Sequence, residues 1–216
     1  MTRVFAATAI LLALALGATA GAAAAEQHQF KRGENYHLVV PVQPTRADRN
    51  QVQVIEFFWY GCPHCYAFEP YLENWLKQKP ENVLFKRVPA VANPAWEPQA
   101  RAFYTAKALG MLDKVHGAIF DEIHARHHFL RTEQDFEQFF ARYGVGSQQF
   151  EAAWNSFAVN MKLKQAAVLA TRYRVLGVPA IAVGGKYSTG PTMAASFPQL
   201  IDIINTLIDK VLDSKK

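Results

Sequence analysis

The feature that most constrains this chain is a pair of cysteines, Cys62 and Cys65, placed where a predicted strand gives way to a predicted helix. The residues before them, 52–60 (VQVIEFFWY), are β-branched and aromatic, which is typical of a strand buried at the centre of a sheet. Gly61 interrupts this run, Pro63 suits the first turn of a helix, and apolar residues then recur at helical spacing. The segment therefore predicts a strand, a Cys-x-x-Cys pair and a helix in immediate succession.

Four kinds of site carry such a cysteine pair: a zinc site, a haem anchor, a structural disulfide and a redox centre. The chain has no other cysteine, so zinc would need histidines, and the dense cluster of His124, His127 and His128 is more typical of a solvated helix face. Haem attachment needs a histidine where Tyr66 stands. A disulfide across two residues closes too small a loop to stabilise much. The strand and helix around the pair favour a dithiol/disulfide redox centre, with no metal ion and no cofactor.

The first 25 residues have the layout of a cleavable secretory signal peptide. Arg3 is followed by an apolar run over residues 4–16 and then by small residues, which places cleavage near residues 25–26. The apolar run is shorter than the roughly 20 residues that a membrane span needs, although an uncleaved anchor is the alternative. Export implies a compartment where disulfides persist. The formal charge of +5 comes from scattered residues, which indicates a solvated surface and no nucleic-acid partner.

Strand patterns lie at both ends of the remaining chain. Residues 38–42 predict a short edge strand because they include Pro41, and residues 82–88 predict a second buried strand. Residues 179–189 predict a hairpin connected by two glycines. A final helix capped by Ser196 should bury one apolar face, formed by Leu200, Ile203, Ile204, Leu207, Ile208 and Val211.

The middle of the chain, residues 97–176, has helical periodicity and little strand pattern. Four or five helices are expected there, with ends indicated by Pro98, Gly110, Thr132 with Asp135, Ser147 and Gly177. A crossover between strands needs only about 10–12 residues, so this block is an insertion. The sequence predicts an α/β fold in which residues 26–92 and 177–216 form the sheet domain and residues 93–176 form an all-helical insertion.

Two segments carry a resemblance to a known family. FFWYGCPHCYAFEPY, residues 57–71, resembles the active-site segment of the DsbA family of periplasmic thiol:disulfide oxidoreductases. GVPAIAVGGKY, residues 177–187, resembles the family's second landmark, a Val-cis-Pro pair that opens a strand and hairpin. The helical block matches the family's inserted domain, so the resemblance covers nearly all of the chain after the signal. It implies a thioredoxin fold with an inserted helical domain and a periplasmic location.

The resemblance assigns a role to each matching residue. Cys62 resembles the nucleophile, Cys65 the resolving thiol and His64 the residue that stabilises the thiolate. Pro179 resembles the cis-proline beside the disulfide, and Val178 the residue whose backbone pairs with a bound peptide. A helix start contributes roughly 0.3–1 kcal/mol to an anion, and up to about 2 kcal/mol in good geometry. This lowers a pKa by little more than about one unit, so a strongly acidic thiol also needs hydrogen bonds from nearby N–H groups.

Glu56 resembles a buried carboxylate beneath the cysteines, and exchange of a proton with Cys65 is expected of it; an outward-facing strand residue is the alternative. Glu69 also falls where the family has an acid. The family's lysine near the next strand has no match in register, since Lys86 is close but out of register, which leaves the family's buried charge network open. An apolar groove for unfolded chains is expected to involve Phe57, Phe58, Trp59, Met193 and Phe197.

The resulting expectation is a periplasmic dithiol oxidase that donates its Cys62–Cys65 disulfide to reduced, unfolded exported proteins. The resemblance further implies a monomer that is reoxidised by a membrane quinone-linked partner resembling DsbB. A secreted reductant or isomerase is an alternative, although such reductants usually place Gly-Pro between the cysteines and such isomerases carry a dimerisation domain. A binding module with a vestigial or metal-binding pair is another alternative, and the combination of Cys62, Cys65 and Pro179 disfavours it.

Overall fold

The strands predicted at both ends of the chain meet in one five-stranded sheet. The structure, a computed structural model, describes residues 30–216, so the predicted signal peptide lies outside the described residues. The strands are β1 (His37–Leu38), β2 (Val52–Phe58), β3 (Val83–Pro89), β4 (Ala180–Val183) and β5 (Tyr187–Thr189). Their order is β1-β5-β4-β2-β3; β2 and β3 run parallel and the other neighbours run antiparallel.

Seven α-helices surround this sheet in the described part of the chain. They are α1 (Pro63–Gln78), α2 (Glu97–Ala108), α3 (Leu112–His124), α4 (Glu133–Ala141), α5 (Ser147–Trp154), α6 (Phe157–Arg172) and α7 (Phe197–Asp213). Short 3₁₀ turns at Pro94–Trp96 and Pro191–Met193 precede α2 and α7. Five of the helices lie between β3 and β4, which confirms the predicted helical insertion. The division of the chain at residues 92 and 176 stays a prediction. Within residues 30–216 no helix is long and apolar enough to cross a bilayer.

Strand β2 lies at the centre of the sheet and contributes to two cores. Val52 and Val54 pack with α1 and α7, whereas Ile55 and Phe57 pack with the inserted helices. This alternation follows from the two-residue period of a strand. By the same alternation, Glu56 lies on the face of β2 that α1 and α7 cover. The six apolar residues predicted for the final helix are the six that α7 buries.

Three predicted element boundaries are wrong. The edge strand is limited to His37–Leu38, and Pro41, beyond its end, lacks the N–H that a ladder needs. Ser147 is the first residue of α5 and Gly146 is its N-cap. The last inserted helix ends at Arg172, and Arg174 takes the left-handed conformation, φ 51°, that usually marks a glycine after a helix.

The β4–β5 connection explains why two successive glycines are needed there. Gly184 and Gly185 have φ values of +59° and +70°, in the left-handed region. A side chain on Gly185 would also collide with the carbonyl oxygen of Gln43. The β4–β5 turn can therefore pack on Gln43 only with glycine at position 185. Just before β4 begins, Val178 lies next to Cys62 at the start of α1.

Candidate active site

The two cysteines lie at the start of α1, where the sheet, α1 and the inserted helices meet. Cys62 is the N-cap residue, and its N–H donates to the carbonyl oxygen of Trp59 at 3.0 Å. Cys62 is 7% exposed, and its Sγ donates to the carbonyl oxygen of Val178 at 3.3 Å. Cys65 lies one turn further along α1 and is fully buried. Only the first sulfur can therefore meet a partner in solution.

The surroundings push the acidities of the two thiols in opposite directions. A hydrogen bond from the Cys65 side chain is the largest cause that lowers the pKa of Cys62, from its ordinary 9.0 to about 6. The backbone N–H groups of Cys65 and His64 and the charge of His64 act in the same direction, while burial opposes them. Burial raises the pKa of Cys65, and the hydrogen bond to Cys62 adds to this effect. The structure holds both cysteines as free thiols, so these values describe the reduced form.

A cavity of about 480 Å³ opens beside the cysteines. His64, exposed in the first turn of α1, lies on its wall, and Val178 and Pro179 line it from the chain that enters β4. The peptide bond between Val178 and Pro179 is cis, as the resemblance implies. Leu176, whose side chain is fully exposed, adds an apolar rim. The cavity thus combines apolar walls with a backbone carbonyl directed at Cys62.

Only two of the five residues predicted for an apolar groove, Phe57 and Met193, line this cavity. Phe58 is buried in the core shared with the inserted helices. Trp59 stacks on Trp96 with a centroid distance of 4.2 Å. Phe197 packs on Phe68 and Tyr71. Periodicity identified these side chains as apolar and could not determine which face each would join.

A charged cluster lies beneath the cysteines on the side of the sheet that α1 covers. Glu56 is fully buried, and its Oε2 lies 3.2 Å from Nε of Arg87 on β3. This contact lacks hydrogen-bond geometry, since neither Glu56 oxygen makes a hydrogen bond to the described residues. Burial is the largest cause that raises the pKa of Glu56, to about 8, and the negative charge of Glu69 adds to it while Arg87 opposes it. The charge of Glu56 in turn acts on Cys65.

Arg87 supplies the cation that the sequence left open. The parallel pairing of β2 and β3 sets Glu56 opposite Arg87 and Ile55 opposite Lys86. Lys86 is exposed and has other cations near it, so it takes no part in the cluster. Nη2 of Arg87 also contacts Glu69 at 3.2 Å and Glu73 at 2.6 Å on α1. The buried charge network is therefore present, with an arginine at its centre. The strand register that identifies it is not visible in composition or spacing.

The histidine cluster takes a different form from the helix face that the sequence predicted. α3 ends at His124, and His127 and His128 follow it in the loop. Nε2 of His124 contacts the carbonyl oxygen of Tyr60 at 2.8 Å, while His128 pairs with Glu122. Among residues 30–216 no group of three or more His, Cys, Asp or Glu could hold a metal ion.

Comparisons with known proteins agree with this geometry. The sequence pattern of the DSBA-like thioredoxin domain matches residues 88–202. The chain is 41% identical to the thiol:disulfide interchange protein DsbA of Burkholderia cepacia, over 94% of this chain and 96% of that protein. It is 35% identical to DsbA of Pseudomonas aeruginosa, over 93% of this chain and 95% of that protein.

Solved structures agree as well. The crystal structure of Pseudomonas aeruginosa DsbA matches with a TM-score of 0.79 and 34% identity, covering 85% of this chain and 96% of that one. The oxidoreductase DsbA of Xylella fastidiosa matches with a TM-score of 0.76 and 30% identity, covering 83% of this chain and 96% of that one. With the Cys-Pro-His-Cys segment at the start of α1 and the helical insertion between β3 and β4, the chain belongs to the DsbA family of thiol:disulfide oxidoreductases.

Proposed function

We propose that this chain is a periplasmic dithiol oxidase that donates its Cys62–Cys65 disulfide to reduced, newly exported proteins through a mixed disulfide on Cys62. The observation that carries this proposal is the asymmetry of the two thiols. Cys62 has a pKa of about 6 and reaches the surface, whereas Cys65 is fully buried and its pKa is raised. One sulfur is therefore suited to be attacked, and the other, whose thiolate is disfavoured by burial, takes up and holds a proton when it is released.

The exchange begins when a thiolate of the substrate attacks Sγ of Cys62. The bond between the two cysteines breaks, a mixed disulfide forms on Cys62, and Cys65 leaves with the electron pair and takes up a proton. A second substrate thiolate then attacks the substrate sulfur of the mixed disulfide, and Cys62 leaves as a thiolate. The substrate gains a disulfide by losing two electrons, and the chain gains them as a reduced cysteine pair.

The acidity of Cys62 gives this exchange its direction. At pH 7 a thiol of pKa about 6 is roughly 90% ionised, whereas one of pKa 9.0 is roughly 1% ionised. The reduced form gains about 1.4 kcal/mol from this difference, which makes the disulfide a stronger oxidant by about 30 mV. A reductant would need the disulfide form to be favoured over the reduced form, so the acidity of Cys62 favours disulfide donation.

The cavity beside Cys62 supports a role in binding extended peptide. Val178 has its carbonyl oxygen directed at Cys62, and this oxygen is free to accept a peptide N–H once the Cys62 thiol has lost its proton. Apolar walls on either side suit the side chains of an unfolded chain. We assign Val178 and Pro179 to peptide binding, His64 to stabilisation of the thiolate, and Glu56 to proton exchange with Cys65.

After each donation the reduced pair must be reoxidised. The resemblance implies a membrane partner of the DsbB type that passes the two electrons to a quinone, and a monomeric chain suffices for the exchange as described. The names of the similar proteins, thiol:disulfide interchange proteins of bacteria, support disulfide exchange as the activity. A periplasmic location follows if the first 25 residues act as the predicted signal peptide.

Titration of Cys62 tests the proposed function. Thiolate absorbance of the reduced protein should rise with a midpoint near pH 6, because hydrogen bonds at the helix start stabilise the anion. Equilibration with glutathione should show the pair to be readily reduced. A midpoint near 9, or a pair that glutathione leaves oxidised, would contradict a disulfide donor. His64→Ala should move the midpoint upward, since His64 is one of several causes of the low pKa.

Replacement of Glu56 by glutamine tests the proton exchange with Cys65. Turnover of a dithiol peptide should fall by about 100-fold or more, because a positioned acid that serves a leaving group typically contributes at least this factor. The Cys62 titration should stay near pH 6, since Cys65 and His64 set that pKa. Glu81→Gln, at an exposed carboxylate just before β3, is a matched control. Equal rates in the Glu56→Gln and Glu81→Gln variants would contradict the assignment of Glu56.

A further inference from the structure

One buried histidine touches the charged cluster from outside the sheet domain. His116 lies on α3 of the helical insertion, and its side chain is 7% exposed. Three aromatic rings, those of Phe58, Phe103 and Phe120, surround it at centroid distances of 5.3, 6.0 and 5.4 Å. Burying a polar ring in an apolar pocket of this kind destabilises the folded protein unless the ring nitrogens have polar partners.

Both ring nitrogens of His116 have polar neighbours. Nδ1 lies 2.8 Å from the hydroxyl of Tyr60, which is also fully buried. Nε2 lies 3.5 Å from Oε1 of Glu69, a contact without hydrogen-bond geometry, so Nε2 has no hydrogen-bond partner among the described residues. Burial lowers the pKa of His116 and raises that of Tyr60, so the ring and the phenol are both neutral. A neutral ring that accepts the Tyr60 proton at Nδ1 carries its own proton on Nε2, the nitrogen that lies 3.5 Å from Glu69.

We propose that His116 is a positioning residue for disulfide exchange: it holds Glu69 as a carboxylate against Arg87, and so sets the charge that Glu56 meets beneath Cys65. This proposal rests on the proposed function. The helical insertion thereby contributes a residue to the chemistry of the sheet domain, through a contact that Tyr60 fixes from the strand end just before the cysteines.

The chain of charges can be followed from His116 to the sulfur. Burial alone would raise the pKa of Glu69, but the proton of His116 and the charge of Arg87 lower it. Burial raises the pKa of Glu56 most, the negative charges of Glu69 and of Glu73 at the edge of the cluster raise it further, and Arg87 lowers it. Glu56 therefore holds a proton at neutral pH, which it can give to Cys65 when that sulfur leaves.

Loss of His116 should reverse these effects on the pKa values of Glu69 and Glu56. Without the Nε2 proton, the pKa of Glu69 rises and Glu69 becomes neutral more readily. A neutral Glu69 no longer repels the charge of Glu56, so the pKa of Glu56 falls and its proton is lost at lower pH. Disulfide donation to a substrate that stays ionised throughout the pH range should then decline at lower pH than in the wild-type chain.

A pH profile of single-turnover disulfide donation tests this with four variants. In His116→Leu the alkaline decline should move to lower pH by about one unit, the size expected when one like charge is lost from a buried pair. The amide of His116→Gln can accept a hydrogen bond from Tyr60 and donate one to Glu69. This variant should therefore keep the wild-type pH profile of disulfide donation. Glu69→Gln, which removes the charge outright, should show a shift in the same direction that is at least as large as that of His116→Leu. The double variant His116→Leu/Glu69→Gln should show no further shift.

Two outcomes would overturn the proposal: an unmoved decline in His116→Leu, or shifts that add in the double variant. A measurement that needs neither a variant nor turnover is a ¹³C NMR titration of the Glu69 carboxyl in the wild-type reduced protein. Its midpoint should lie below the ordinary 4.5, and a midpoint at or above 4.5 would overturn the proposal even if His116→Leu does not fold. A chain that failed as an oxidase but showed a low Glu69 midpoint would refute the proposed function and leave the electrostatics of the charged cluster as described.

Discussion

Replacement of Cys65 by serine is expected to stop the exchange halfway. When Cys65→Ser meets a peptide whose cysteine carries a pyridyl disulfide, the Cys62 thiolate attacks the peptide sulfur and the thiopyridine leaves. The peptide then stays on Cys62, because no thiol is held one helical turn away to displace it. A thiol in that position has an effective concentration far above any in solution, so the adduct should last at least about 10³ times longer than in the wild-type chain.

The measurement is the intact mass of the protein after mixing, which should equal one chain plus one peptide. Cys62→Ser is the matched control, since it retains one cysteine of the pair. Its remaining thiol is fully buried and its pKa is raised, so no adduct should form on the same timescale. Equal adduct formation in both variants would show that the two sulfurs do not differ as the structure implies.

Replacement of Arg87 by leucine is expected to have the largest effect on stability. Arg87 is the cation shared by Glu56, Glu69 and Glu73, and Glu56 is fully buried. Removing one partner of a buried ion pair typically costs about 3–5 kcal/mol, because the other charge is left without compensation. We expect a loss of this size in the free energy of unfolding of the oxidised protein at pH 8.

The sign of its pH dependence follows from the carboxyls. Arg87 lowers the pKa of Glu56 and of Glu69, so its loss raises both and takes that of Glu56 further above its unfolded value. Acids with raised pKa contribute their full stability below the unfolded pKa, near 4.5, and lose it as the pH rises toward the folded pKa. Urea unfolding of Arg87→Leu should therefore show a smaller loss at pH 4 than at pH 8.

Arg87→Lys is the conservative control for this experiment. It keeps the charge, but one ammonium cannot match a guanidinium whose Nε faces Glu56 while its Nη2 faces Glu69 and Glu73. The free energy of unfolding of Arg87→Lys should lie between those of the wild type and Arg87→Leu, and its loss should depend less on pH than in Arg87→Leu. A loss in Arg87→Leu that is the same at pH 4 and pH 8 would indicate a packing defect and would contradict the electrostatic explanation.

Local sequence patterns predicted most of the fold because helix capping, turn formation and the burial of one helix face depend on residues that are close in sequence. The Thr132–Asp135 capping box, the glycine-linked hairpin and the buried face of α7 each depend on residues a few positions apart. The strand–cysteine–helix segment is local in the same sense, and it indicated both the redox chemistry and the resemblance to the family. Where a local rule failed, as at Gly177, the helix ends at Arg172, and Arg174 after it adopts the left-handed conformation, which is strained for a residue other than glycine.

The charged cluster could not be predicted in the same way. Arg87 faces Glu56 because of the register between β2 and β3, which is set by the whole sheet. His116 reaches Glu69 because α3 packs on α1, and no sequence spacing records that approach. A buried glutamate within an apolar strand indicated that the carboxyl had to be paired or protonated, but it could not identify a partner.

The long-range contact between Cys62 and Val178 also has a consequence for the order in which the protein folds during synthesis. The two residues are 116 positions apart, and the strand that begins after Pro179 must pair with β2 before the carbonyl of Val178 reaches the sulfur. During synthesis from the N-terminus, the cysteines emerge long before that strand, and the inserted helices can form through local contacts in the meantime. Closing the sheet is thus a late step, and until then the chain that oxidises other proteins is itself an unfolded chain with two exposed thiols.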